Sequence, residues 1–547
     1  MNGAELFVKC LEEEGVSHIY GVPGEENEDL LFALQSSNIE FVPTRHEQGA
    51  AFIANVYGRL TGKAGVCLAT LGPGATNLIT GVADAYLDKA PLVAITGQGA
   101  RSRMHHESHQ MIDIVQMFEA ISKYNTSIQQ VEVIPEIVRK AFKIAETEKP
   151  GAVHIEMPED IASELLENNN SALSVKTVRR PSADSRAIRE AEQILNSAEK
   201  VLILAGNGAI RKRSSEALYK LIQSTNIRVA NTFMGKGAIS SKDLLSLGTV
   251  GLGFKDYIIE AFEAAEVVVC VGYDIAEYDP KNWNIGIKKK IVHIDFEPSE
   301  VFEDYIPDVE IVGDICDALT QLELTVDKRF EIEWTTATKN RIDESIAKYT
   351  ADDREEQFDT PMIINAIRQV MPDDGLLISD VGTHKMWIAR NYNTYCPNGC
   401  IISNGLASMG IALPGGIAAK SIDKNRAVVS LMGDGGALMN FQEIETAKRL
   451  GLGYVIIIAN DNNYGLITWK QKMHTGESTG TALTNPDFVK LGESFGIDAY
   501  KPKNVGDFKQ ILQDSFDHNR LTLIEIPIST DVNQELINEL KEYYNVK

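Results

Sequence analysis

Three times along this chain, short apolar segments rich in β-branched residues alternate with stretches of helical periodicity. No other feature narrows the fold so far. A strand apolar on both faces needs both faces covered, and a parallel sheet with crossover helices supplies that cover. In the first run the strand candidates are His18–Val22, Ile39–Thr44, Gly65–Thr70, Leu92–Thr96 and Ala152–Glu156. The second run offers Val201–Ala205, Val229–Asn231, Val267–Val271 and Lys290–Asp295, and the third Leu376–Asp380, Ala427–Met432, Tyr454–Ala459 and Leu521–Pro527. A polar stretch over 167–186, carrying Ser and Pro, separates the first two runs, and the charged segment DDREEQ at 352–357 precedes the third. The expectation is an α/β protein of three doubly wound parallel-sheet domains, at 1–166, 187–345 and 358–530, with the terminal NQELINELKEYYNVK as a surface helix or ordered arm. No internal repeat with a period of about 20–50 residues is visible.

Charge removes some classes of function. The 547 residues carry a formal net charge of −24, the opposite of the basic footprint that nucleic acids and anionic membranes require. Apolar residues at 44% and charged residues at 24% are ordinary for packed domains, so disorder is not expected. The amino-terminal MNGAELFVKCLEEEG reads as an amphipathic helix and lacks the basic-then-apolar pattern of a secretory signal. No run is long and apolar enough to span a bilayer. The six cysteines form no CxxC pair, and reduced thiols in the cytoplasm account for them.

The sharpest local signal lies in the third run. The strand AVVSLM ends in Gly433-Asp434-Gly435-Gly436, and the next strand, YVIIIA, ends in Asn460-Asp461-Asn462-Asn463-Tyr464-Gly465. Both loops follow strands, where ligands of open α/β sheets bind. Asp434 and Asp461 are 27 residues apart, the length of one strand–helix–strand unit, which sets the loop tips side by side. Glycines admit a phosphate closely, and two carboxylates with a carbonyl can supply about half of a magnesium shell. Alone, GDGG is a common turn. Glu47, in Arg45-His46-Glu47-Gln48, is equally a carboxylate favoured at a helix start, and Met409 an apolar core turn.

The coupled loops resemble the cofactor motif of thiamine-diphosphate enzymes, GDG followed about 24–27 residues later by an Asn-Asn or Asn-Asp pair. The resemblance implies magnesium ligands in the side chains of Asp434 and Asp461 and the carbonyl of Asn463. It implies that Glu47 hydrogen-bonds N1′ of the aminopyrimidine and assists the tautomer that removes the thiazolium C2 proton. Ser403–Gly410 is similar to the segment that bends the cofactor, with Met409 as the wedge and the Ala407 carbonyl accepting from N4′. Gly72, Pro73, Gly74 and Asn77 would line the pyrimidine side. Gly382, Thr383 and His384, with the glycines Gly433, Gly435, Gly436 and Gly465 and with Tyr464, would hold the diphosphate. In this family the cofactor spans two subunits, which implies a homodimer or homotetramer.

Nearly the whole chain is similar to acetolactate synthases of the catabolic, flavin-independent type. The segments that carry this are RHEQGAAFIANVYGRLTGKAGV, SHQMIDIVQMFEAISKY, and Tyr273-Asp274 with Glu277-Tyr278-Asp279-Pro280-Lys281. The implied reaction decarboxylates one pyruvate and ligates the remainder to a second, giving 2-acetolactate. The alternative is another thiamine-diphosphate-dependent 2-oxo acid decarboxylase or carboligase. Gln110 is the candidate for orienting substrate, and His109 a weaker one; a structural loop role stays open for both. The chain departs from the family in GVPGEENEDLLFAL, in TLGPG and in His105-His106. FAD is not expected, because Tyr273–Glu277 stands where flavin-dependent relatives carry an arginine-bearing stretch. Ten residues after Asn460, where those relatives place a tryptophan that favours larger acceptors, stands Lys470, with Trp469 one step early. Pyruvate is therefore the expected acceptor.

Overall fold

The computed structural model describes all residues except 167–170, 212, 285, 287, 288, 351–356 and 547, and the side chain of 546. Parts of both expected linkers, 167–170 and 352–356, lie outside the described residues. Three six-stranded sheets account for the architecture. The first contains β1 (His18–Gly21), β2 (Glu40–Pro43), β3 (Gly65–Ala69), β4 (Leu92–Gln98), β5 (Asn125–Ser127) and β6 (Ala152–Pro158). The second contains β7 (Val201–Ala205), β8 (Arg228–Asn231), β9 (Ser246–Thr249), β10 (Val267–Val271), β11 (Lys290–Asp295) and β12 (Val309–Val312). The third contains β13 (Leu376–Ser379), β14 (Cys400–Ile402), β15 (Val428–Gly433), β16 (Val455–Asn460), β17 (Asp498–Tyr500) and β18 (Thr522–Pro527).

Every pairing within the sheets is parallel. The central strands are buried on both faces: β3, β4, β7 and β10 have no exposed residue. That burial is why they read as continuous apolar runs rather than alternating ones. The strand orders are β2-β1-β3-β4-β6-β5, β12-β11-β10-β7-β8-β9 and β14-β13-β15-β16-β18-β17. The outer two sheets therefore share one order, and the middle sheet has the order of dinucleotide-binding folds.

The chain folds into two compact units. One comprises Met1–Val178, Gly405–Asn425 and Gly436–Gly453 and holds the first sheet. Within it, helix Ala412–Ile422 packs on helix Glu47–Thr61. The other comprises Arg179–Asn404, Arg426–Gly435 and Tyr454–Lys547 and holds the second and third sheets. Their strands and covering helices share one apolar core, from Leu202 through Trp283 to Ile457 and Leu540. The terminal segment is an ordered helix, Asp531–Val546, that buries Val532, Leu536, Ile537 and Leu540. Among the described residues no helix is long and apolar enough to cross a membrane.

Candidate active site

The metal-loop candidates sit at the carboxyl ends of β15 and β16, which are neighbours in the third sheet. Asp434 is buried and Asp461 half-buried. The two interact through their side chains. Burial first, and the Asp434 charge next, push Asp461 up to about 7, a strain that a divalent cation between the carboxylates would relieve. The Asp461 carboxylate lies over Gly465, where an added Cβ would stand 2.4 Å from Oδ2. Asn462 takes a left-handed φ of +54°, turning the chain so that Asn463 N donates to Asp461 Oδ1 at 3.0 Å. Tyr464 lies against Gly435, 2.8 Å from the position of an added Cβ.

The loop after β13 converges on the same edge. Here β13 and β15 are adjacent while β14 lies on the far side of β13, so the strand order reverses between them. The His384 ring lies against the Cα positions of Gly382 and Gly433. Burial lowers this histidine to about 4, which keeps it neutral, and its buried Nε2 has no hydrogen-bond partner. Thr383 is buried beside it. Glycine-lined backbone suits a diphosphate and the carboxylate pair a magnesium ion, with the neutral His384 ring packed beside them. Among the described residues no three His, Cys, Asp or Glu side chains cluster as a metal site, so any cation here needs carbonyl and phosphate oxygens as well.

In the other unit, Glu47 opens helix Glu47–Thr61 behind the cap residue His46 and is buried. Asn77 Nδ2 donates to Glu47 Oε2 at 3.0 Å. Gly72 and Pro73 begin the helix that carries Asn77, and a Cβ on Gly74 would stand 3.4 Å from Glu47 Oε1. Gln110 is exposed, with φ +58°, and its carbonyl packs against Gly72. His109 is exposed, as are His105 and His106. Ala407, a non-glycine residue at φ +56°, holds strained backbone of the kind that persists where the surroundings fix it. Met409 is half-buried, and Asn440 donates to the Gly410 carbonyl at 2.8 Å.

Residues 1–117, 188–322 and 380–526 match, in turn, the N-terminal TPP binding, central and C-terminal TPP binding domains of the thiamine pyrophosphate enzymes. The acetolactate synthase of Bacillus subtilis (strain 168) is 33% identical over 98% of this chain and 95% of its own length. The catabolic acetolactate synthase of Raoultella terrigena is 31% identical over 98% and 97%. The acetolactate synthase isozyme 1 large subunit of Escherichia coli (strain K12) is 30% identical over 97% and 94%. The chain belongs to the acetolactate synthase family of thiamine pyrophosphate enzymes. Its relatives include both catabolic enzymes and large subunits at like identity, so position within the family must be read from particular residues.

Within this acetolactate synthase fold, two polar side chains escaped the motif reading. Glu443 is fully buried, and burial raises its pKa. Its carboxylate accepts from the backbone N–H of Arg45 at 3.1 Å and of His46 at 3.0 Å, and from Thr446 Oγ1 at 2.6 Å, fixing the turn just before Glu47. Asn485 Nδ2 lies 2.6 Å from Asp434 Oδ2, 3.0 Å from Asn460 Oδ1 and 3.1 Å from Asn462 Oδ1. The carboxylate of Glu443 follows GDGG by only a few residues and could have been suspected; Asn485 precedes Pro486, which marks a turn but not a partner for the metal loops. Lys470 is exposed, whereas Trp469 turns inward, edge-on to Phe254 at 5.8 Å between ring centroids, and lines a small cavity with Thr383, Met386 and Leu536.

Proposed function

We propose that this enzyme decarboxylates one pyruvate and joins the remaining two-carbon unit to a second pyruvate, giving 2-acetolactate. Full-length similarity to acetolactate synthases carries this reading. Bound thiamine diphosphate supplies the electron sink for decarboxylation. Asp434, Asp461 and the Asn463 carbonyl hold Mg²⁺. Gly382, Thr383, His384, Gly433, Gly435, Gly436, Tyr464 and Gly465 cradle the diphosphate. Glu47, aligned by Asn77, exchanges a proton with the pyrimidine ring nitrogen, since a fixed carboxyl at a ring nitrogen is a good general acid–base partner. Gly72, Pro73 and Gly74 would border the pyrimidine, the Ala407 carbonyl would accept from its amino group, and Met409 would supply the apolar contact between the rings. Gln110 orients the 2-oxo acid.

The Tyr273–Glu277 segment supports a flavin-free enzyme of the catabolic type. Glu277 is buried, and its carboxylate accepts from Asn207 N at 3.0 Å, Asp274 N at 3.1 Å and Thr232 Oγ1 at 2.5 Å. The Asn207 donor that a dinucleotide phosphate could use at Gly206-Asn207-Gly208 is thereby taken by the protein's own carboxyl group. Lys470, which is exposed, stands where the flavin-dependent relatives place the tryptophan, while Trp469 packs edge-on to Phe254, and pyruvate is the acceptor we propose. Domain limits of 1–166, 187–345 and 358–530, a homodimer or homotetramer, and a cytoplasmic site with reduced cysteines complete the proposal. Light scattering of the pure protein checks the assembly, for which a monomer is the contrary result. Incubation with pyruvate, thiamine diphosphate and magnesium checks the activity: acetolactate is expected, and release of acetaldehyde instead would favour a simple decarboxylase.

A further inference from the structure

The pair of metal loops is held by a third segment. Residues 481–485 run back along the loop after β16: Tyr464 N donates to Thr481 O at 2.9 Å and Leu483 N to Asn462 O at 2.8 Å, with Asn463 and Ala482 forming an antiparallel bridge. This clip delivers Asn485. Its amide nitrogen meets three oxygens, one on Asp434 and two on the asparagines of the neighbouring loop. An amide NH₂ has only two protons, so the shortest contact, at 2.6 Å to Asp434 Oδ2, claims one of them. Asp434 and Asp461 follow adjacent, paired strands, β15 and β16. A donor fixed on one Asp434 oxygen sets the rotation of the carboxylate and directs the other oxygen elsewhere.

We propose that Asn485 is a positioning residue for magnesium: it holds the Asp434 carboxylate in one orientation and locks the loops of Asp434 and Asp461 in register. This rests on the reading of Asp434 and Asp461 as metal ligands. Hydrogen-bonding partners behind metal ligands typically govern affinity by about 10–100-fold. Asn485 acts through Asp434, Asn460 and Asn462, its hydrogen-bond partners.

The test is a magnesium titration of the full-length protein with saturating thiamine diphosphate, followed calorimetrically, beside thermal melting of the apoprotein. Asn485→Leu keeps the size of the side chain and removes its donor; Asn485→Ala removes both. Both variants should need about 10–100-fold more Mg²⁺ for half-saturation, with apoprotein melting close to wild type and the KM for pyruvate unchanged at saturating Mg²⁺. A purely space-filling role would leave Asn485→Leu at the wild-type magnesium requirement, and that result overturns the proposal. Asp434→Ala separates the two levels. If it abolishes magnesium-dependent cofactor binding while Asn485→Leu does not alter it, only the role of Asn485 falls. If Asp434→Ala also binds like wild type, the metal site itself is misassigned and the proposal falls with it.

Discussion

Glu47 depends on neighbours from two distant places in the sequence. Asn77 holds its carboxylate, and Glu443 holds the backbone of the two residues before it. Glu47→Gln keeps the shape and the contact but cannot exchange a proton with a ring nitrogen. It should bind thiamine diphosphate and lose about 10²–10⁴-fold in turnover; a near wild-type rate would remove Glu47 from its assigned role. Glu443→Ala strands the N–H groups of Arg45 and His46 together with the Thr446 hydroxyl. A cost of about 1–3 kcal/mol is expected from unpaired buried donors, read as a lower melting temperature, and an unchanged melt would count against it. The placement of Asp434 and Asp461 at the ends of neighbouring strands was legible from loop chemistry and spacing, whereas Glu47 stood out only through the family resemblance. Glu443 and Asn485 act through backbone or through another side chain, and partners of that kind carry no fixed spacing.

The elements were legible where burial is two-sided. All four named strands of the second run and the long strands of the others fall where the apolar runs placed them, within a residue or two at the ends. The unforeseen strands are β5, β9, β12, β14 and β17, and each lies at the edge of its sheet. Their sequences, NTS, SLGT, VEIV, CII and DAY, are short or polar. An edge strand pairs on one side only and needs less apolar surface, so periodicity gives it little weight. The edge strand β5 is instead tied in by a polar ladder. His154 of β6 pairs through Nδ1 with Asn125 Oδ1 of β5 at 2.7 Å, and through Nε2 with Thr96 Oγ1 of β4 at 2.8 Å, stacked on Phe118. Burial lowers this histidine from 6.5 to about 3. The unfolded chain takes up a proton near 6.5 and the folded ring resists it, so this contribution is complete above about 6.5 and is lost as pH falls toward 3. Between pH 7 and 5 the loss should be about 2 kcal/mol from this residue. Urea melts at the two pH values check it, and His154→Gln should flatten the difference; equal slopes in the two proteins would contradict the account.

At the scale of the molecule, the outer sheets share one strand order although the sequence shows no repeat. Topology survives changes of side chain that erase similarity, because right-handed crossovers and buried parallel strands fix the path whatever the apolar residues are. The first and third sheets thus present equivalent carboxyl edges. One carries Glu47 and the Gly72–Asn77 turn, and the other carries His384, Asp434 and Asp461. The second sheet keeps a dinucleotide-type order but turns Glu277 inward onto its glycine turn. That feature was not legible, because a buried glutamate in Tyr273–Glu277 looks like any other acidic residue until its donors are seen. The central claim is that this chain, with thiamine diphosphate and Mg²⁺ and no flavin, converts pyruvate to 2-acetolactate. The most direct measurement is product identification by NMR after the pure protein is incubated with pyruvate, thiamine diphosphate and Mg²⁺, with flavin omitted and then added. Acetolactate at the same rate in both mixtures is the predicted result; acetaldehyde as the main product, or acetolactate only when flavin is present, would contradict it.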